Sequence, residues 1–315
     1  MGAYIVRRTL LSVFTLFVIS YFSFVIIELP EGDFVDFYAR FVEQTTGKSV
    51  TLDEQEEMRE AFGLNRPQFV QYWDWISGVI TGDFGYAYLY GDLRTPIKKL
   101  VAERIPVTIL FSTVTAVLIF VLAIPIGIYS AVRQHSIGDY TFTFLGFTGL
   151  AVPDFLLGLV LMYIFLAYFH QSVGGLFSGD YQDQPWSIGK VLDLLNHMII
   201  PAIVLGTAGL AGLIRTMRNN LLDELYKPYV MAARAKGMAN WRVIVKYPVR
   251  VAINPLVSGL GGMLPGLVGS SVIVSIVLSI PTLGPLLLFA LRGQNNQLAG
   301  TIVLFLGALT VVGVL

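Results

Sequence analysis

The 315 residues contain no cysteine, which excludes disulfides, thiolate metal sites and a cysteine nucleophile. Histidine is nearly absent: His135, His170 and His197 stand far apart, whereas a structural zinc site needs clustered ligands. Charge is scarce too. Only 13% of residues are charged against 55% hydrophobic, and the mean hydropathy of +0.70 is too high for an ordinary soluble globule. Catalytic signatures are missing: there is no HExxH, no GxSxG and no defensible Ser/His/Asp grouping. Gly47-Lys48-Ser49 resembles the end of a phosphate-binding loop, but Val42 stands where the first glycine is required and no apolar strand leads into it. No nucleotide site is visible, no metal or cofactor is expected on this chain, and nucleic acid is not an expected partner.

What is present is apolar length. A hydrocarbon core about 30 Å thick needs roughly 20 apolar residues per helix, and on that basis six spans are expected. They cover residues 10–29, 107–132, 141–169, 198–214, 256–280 and 298–315. The third is long enough to tilt, and the fourth is short and glycine-rich. The expected class is an all-α integral membrane protein: an anchor helix (1–29), a polar insertion (30–104) and a core (105–315) holding a basic loop at about 215–255. Arg7-Arg8 precede the first apolar run. That run is bulky and lacks a small-residue cleavage site, so it reads as a retained anchor, not a removed signal or a twin-arginine address.

Basic residues orient the spans. With the N-terminus cytoplasmic, the inside segments hold 11 basic and three acidic residues, and everything else holds 10 basic and 18 acidic. The positive-inside rule therefore predicts N-in, C-in, which makes 30–104 extracytoplasmic. Within that insertion, 53–62 reads as a surface helix capped by Thr51 or Asp53 and ended by Gly63. Residues 69–76 form an aromatic amphipathic segment suited to the outer interface. Gly78, Gly82, Gly85 and Gly91 read as turns.

Three features carry function. The basic loop contains a short helix over 228–237: Pro228 suits the first turn, Ala232, Ala233 and Ala235 favour helix, and Gly237 ends it. Its small side chains leave it thin enough for a groove on another protein. Second, Asp154 follows Pro153 near the middle of span three, where a carboxylate costs about 2.5–3.5 kcal/mol on insertion scales. Either it lines a pathway for cationic groups, or it caps a helix break or pairs with a neighbouring donor. Third, span five carries Gly262, Pro265 and Ser271 among other glycines and serines, the composition of close packing or of a flexible pore-lining helix.

The loop resembles the cytoplasmic "EAA" loop of binding-protein-dependent ABC importer permeases. The motif falls on Met231, Ala232, Ala233 and Gly237, with Met231 replacing the glutamate. Tyr229 with Ala233-Arg234-Ala235-Lys236-Gly237 matches the YxxxARAKG variant of the peptide/nickel branch, and the downstream proline falls at Pro255. A second set of residues resembles the same branch: Gly63-Leu64-Asn65-Arg66-Pro67, Gln71-Tyr72, Trp75, Gly82-Asp83-Phe84-Gly85, Pro96, Arg104-Ile105-Pro106-Val107-Thr108, then Pro153, Phe155 and Gly158. Relatives usually add a short polar tail after the last span; this sequence stops at Leu315.

The resemblance implies a type I ABC importer permease in a prokaryotic cell membrane, a multi-pass subunit without catalytic activity of its own. Its partners would be the lipid bilayer, a second homologous permease, two ATP-binding subunits that hold ATP and Mg, and an extracytoplasmic substrate-binding protein. Tyr229, Ala232, Ala233, Arg234, Ala235, Lys236 and Gly237 would form the ATPase-coupling helix. Pro153, Asp154, Gly262, Pro265 and Ser271 would line the pathway. Di- and oligopeptides are the implied cargo, with nickel, oligosaccharide or glutathione-like solutes as alternatives. A secondary transporter would show inverted repeats and several intramembrane charges, and a membrane protease would need a second catalytic group near Asp154; neither is seen.

Overall fold

A computed structural model describes residues 2–89, 92–169 and 174–314, so Gly91 and His170 lie outside the described residues. The chain is almost entirely helical and divides into two compact units. The first joins 1–108 with 281–313, and the second comprises 109–280.

In the first unit, helix α1 (Gly2–Ile27) covers the segment expected to be an anchor. Three amphipathic helices follow: α2 (Phe34–Thr46), α3 (Leu52–Phe62) and α4 (Gln68–Thr81). Each begins or ends for a local reason. Asp33 and Asp36 form a capping box on α2, and Thr51 and Glu54 form one on α3, each satisfying free N–H groups of the first turn. The Thr51 backbone N–H also holds the Glu54 carboxyl below its usual range. Gly47 ends α2, so Gly47-Lys48-Ser49 is a helix stop, not a phosphate loop. A hairpin, β1 (Tyr86–Leu89) with β2 (Asp92–Pro96), pairs Ala87 with Thr95. Helices α13 (Leu283–Arg292) and α14 (Asn296–Val314) belong to this unit. Ala87, Ile97, Val101, Leu283, Leu298 and Ile302 form one buried cluster there.

The aromatic segment forms part of α4, whose Tyr72, Trp75 and Ile76 are buried against Phe24 of α1. Trp75 stacks on Phe24 at 5.8 Å and donates from Nε1 to Thr301 Oγ1 at 3.2 Å. Phe69 and Trp73 are the aromatic rings of this segment that face outward. Gly78 is corrected: it lies inside α4, and a Cβ there would stand 2.7 Å from the Asp83 carbonyl oxygen. Close approach, not a turn, calls for glycine at this position.

Helix α5 (Ile97–Val132) runs from the first unit into the second, which also holds α6 (Ile137–Ala151), α7 (Asp154–Phe169), α8 (Ile188–Leu225), α9 (Pro228–Ala235), α10 (Asn240–Lys246), α11 (Pro248–Ala252) and α12 (Asn254–Val277). Helix α8 is its hub, packing on α6, α7, α11 and α12. A Cβ at Gly149 would come within 2.3 Å of Thr207, so glycine is what lets α6 approach α8. At 36 and 38 residues, α5 and α8 are about 54 and 57 Å long. They overshoot the windows at 107–132 and 198–214 because their ends turn polar while the backbone continues as helix.

The largest departure is span three. Residues 141–169 do not form one helix: α6 and α7 meet at a 107° bend at Val152-Pro153. Proline removes an N–H and disfavours the helical region for the residue before it, and Val152 is accordingly extended (φ −90°, ψ 125°). Asp154 is thus the first residue of α7, at the break of the bent pair and not inside a continuous helix. Among the described residues, five helices are long and apolar enough to cross a membrane, or six if the bent pair counts as one.

Candidate functional site

The basic segment after α8 folds as three short helices with a small core of its own. Pro228 occupies the first turn of α9, where a missing N–H costs nothing. Gly237 follows the helix with φ +75°, and a Cβ there would meet nothing within 4 Å. Backbone handedness, not space, therefore requires glycine at this point. Val230 and Ala233 are buried against Val243, with Met238 and Tyr247 packed on them.

This core divides the motif residues. Ala233, 5% exposed, belongs to the segment's own interior. Tyr229, Met231, Ala232, Arg234, Ala235 and Lys236 face outward, and among the described residues no ion pair involves Arg234 or Lys236. The exposed face is therefore apolar, thin and cationic. Trp241 and Val245 of α10 are 65% and 54% exposed and extend the bare apolar surface of the segment.

Tyr229 ties the segment to α8: its hydroxyl donates to Glu224 Oε2 at 2.5 Å. Desolvation and the Glu224 carboxylate push the phenol up to about 12, because both disfavour the phenolate. Behind it, Met217, Leu221 and Leu225 of α8 pack with Ile244, Val249, Ala252 and Leu256 in one cluster. Asn220 Nδ2 also donates to the Ala252 carbonyl at 3.3 Å. Glu224, Val230 and Val243 brace this segment and are not singled out by the sequence; the clue is the apolar i, i+3 spacing of Val230 and Ala233 inside a polar stretch.

The five positions expected to line a pathway separate into two places. Pro153 and Asp154 form the break between α6 and α7. The Asp154 side chain has no hydrogen-bond or ion-pair partner among the described residues, and it lies in the first turn of α7, where the helix dipole favours an anion. Gly262, Pro265 and Ser271 lie on α12, which continues through its proline. Gly259, Gly262, Gly266 and Gly269 recur on one face, and among the described residues a Cβ added at any of them would meet nothing within 4 Å, so none of those residues packs closely on this face. Ser271 points the other way: it is 1% exposed and donates to the Val268 carbonyl at 2.7 Å. Gly158 of α7 packs near Val204, Val277 and Leu278, which brings α7 onto the end of α12.

Members of the second motif set between Gly63 and Thr108 make contacts that hold the fold. Gly63 ends α3 at φ +70°. Arg66 pairs with Asp74 at 2.9 Å. Gln71 Nε2 donates to the carbonyls of Leu64 and Arg66, and the Tyr72 hydroxyl meets Ser20 Oγ at 2.9 Å. Thr108 Oγ1 accepts the Leu283 N–H at 3.0 Å.

Comparison with known proteins agrees with this architecture. Residues 123–315 match the family model of the binding-protein-dependent transport system inner membrane component, and residues 1–112 match the N-terminal model of the same membrane components. The chain is 35% identical over 313 residues to the oligopeptide transport system permease protein AppB of Bacillus subtilis, covering 99% of this chain and 95% of that protein. It is 30% identical to the dipeptide transport system permease protein DppB of Lactococcus lactis, covering 90% and 85%. To the oligopeptide transport system permease protein OppB of Escherichia coli K12 it is 27% identical, covering 97% and 92%. The chain belongs to the family of binding-protein-dependent transport system inner membrane components, the ABC importer permeases.

Proposed function

We propose that this permease forms, with a homologous permease, the membrane pathway for di- and oligopeptides delivered by an extracytoplasmic binding protein. The relatives named for peptide transport support that cargo. Nickel, oligosaccharide or glutathione-like solutes are the runner-up, because a separate binding protein would select the solute. The chain crosses a prokaryotic cell membrane six times, N-in and C-in, the bent α6–α7 pair counting as one crossing and residues 30–104 lying outside. Two partner subunits hold ATP and Mg and supply the energy; this chain hydrolyses nothing.

The observation that carries this reading is the α9 segment. It is braced from behind by its own apolar core and by Tyr229 on Glu224, while its Met231, Ala232, Arg234, Ala235 and Lys236 face is left bare by the described residues. Such a part moves as a rigid body, and its bare face suits a cleft on an ATP-binding subunit. Closure of the ATPase dimer would push α9, and the shared cluster with α8 and α12 would pass the displacement to the spans. The Asp154 break and the open glycine face of α12 are the positions that would meet cargo, with Asp154 attracting cationic groups.

The test is uptake of labelled peptide into proteoliposomes holding the full complex and its binding protein. Wild type is expected to accumulate peptide with ATP. Gly237→Trp is expected to hydrolyse ATP without uptake, and normal uptake by that variant would defeat the reading.

A further inference from the structure

The cleft between α6 and α8 holds a cation that the fold does not use. Asp139, only 3% exposed, takes Arg218 in a two-point ion pair, with Nε and Nη2 each 3.1 Å from a carboxylate oxygen. The His135 N–H adds a further bond at 3.1 Å. That carboxylate is fully engaged. Arg215, one turn earlier on α8, lines the same 450 Å³ cleft together with His135, Tyr140, Phe147 and Asn219. Its guanidinium lies 4.8 Å from the Phe147 ring and, among the described residues, meets no carboxylate.

The charge balance of the cleft is decisive. Asp139 and Arg218 cancel, so Arg215 leaves it cationic. A guanidinium resting on an aromatic face keeps its edge N–H groups free for a planar or tetrahedral anion. Arg215 also directly follows an apolar run, which on the membrane reading puts it where α8 leaves hydrocarbon for headgroups. Beside it on α6, Phe144 and Phe147 are 69% and 54% exposed, an apolar surface next to the charge. An anion joined to hydrocarbon fits both halves of this surface, and basic pockets between membrane helices recognise lipid headgroups in this way.

We propose that the α6–α8 cleft binds the headgroup phosphate of an anionic phospholipid, with Arg215 as its main partner and Asn219 and Tyr140 as hydrogen-bond donors at the rim. The inference rests on the membrane reading of α6 and α8, and not on the cargo or on α9.

The test uses the complete transport complex, purified in mild detergent after equilibration with phosphatidylglycerol and phosphatidylcholine, with retained lipid counted by native mass spectrometry. Wild type is expected to retain phosphatidylglycerol preferentially. Arg215→Gln should lower that retention roughly fivefold, the worth of one basic side chain at an anionic surface, and Arg215→Lys should keep most of it. Phe147→Leu, at an exposed position, should weaken retention without disturbing assembly, and it decides the matter if the glutamine variant fails to assemble. Equal retention of both lipids, or full retention by Arg215→Gln and Phe147→Leu, would overturn the proposal. Displacement of the lipid by excess inorganic phosphate would overturn it in favour of a soluble anion. A complex absent from the membrane fraction would instead strike at the membrane reading itself.

Discussion

The helices α2–α4 and the short helices α9–α11 are built in opposite ways. In the first group the polar side chains are cross-braced. Arg59 bridges Asp33 at 2.7 Å and Asp36 at 2.5 Å, joining α3 to the capping box of α2, and Trp75 is gripped by Phe24 and Thr301. In the second group no helix start has a side-chain cap bond, and the outward face of α9 makes no ion pair among the described residues. A region that satisfies itself is scaffold. A region that keeps a firm back and an unsatisfied front is built to meet something else.

That contrast can be broken by substitution, because scaffold variants should cost stability and α9-face variants should cost uptake. Trp75→Ala should have the largest effect, lowering stability by about 3–5 kcal/mol as a buried aromatic is lost, read from thermal unfolding of the solubilised complex. Arg59→Ala should cost about 1–3 kcal/mol, since charge-assisted bonds to two partly exposed carboxylates are lost together, with protease sensitivity appearing first between α2 and α3. Gly237→Val should strain the backbone by only about 1–2 kcal/mol and barely shift unfolding, yet uncouple ATP hydrolysis from peptide uptake. If it instead unfolds the protein as Trp75→Ala does, the two regions are not different in kind.

The smallest effect sharpens the joint between α8 and α9. The folded segment favours the neutral Tyr229 phenol, so its contribution is complete below the usual tyrosine value of about 10. It is lost as pH rises through about 12. A dye on Met231→Cys should therefore gain mobility over that alkaline window in a Tyr229-containing protein. In a Tyr229→Phe background the alkaline change should vanish, and its persistence would assign it to another group.

Much of this is legible in the residues, and the failures have physical causes. Thr51 and Gly63 mark the limits of α3 because capping is local chemistry. The short helix α9 is legible for the same reason, through Pro228 and Gly237. Span three misleads because hydropathy runs unbroken through Val152-Pro153, and only backbone geometry reports the 107° turn there. Ala232 and Ala233 are the same residue type side by side, and neighbours alone bury one of them: Val230 and Val243 close over Ala233. The role of Arg215 is hidden likewise, since it depends on Asp139 having already taken Arg218 from 79 positions away.

The central claim, that α9 presents one face to an ATP-binding subunit and keeps the other for itself, is best tested by cysteine cross-linking in the assembled complex. The chain has no native cysteine, so single replacements report alone. Ala232→Cys is expected to cross-link to the ATP-binding subunit, and Ala233→Cys, one residue away, is expected not to. Cross-linking of Ala233→Cys with Ala232→Cys silent, or no cross-link from either together with free labelling from outside the cell, would contradict the account.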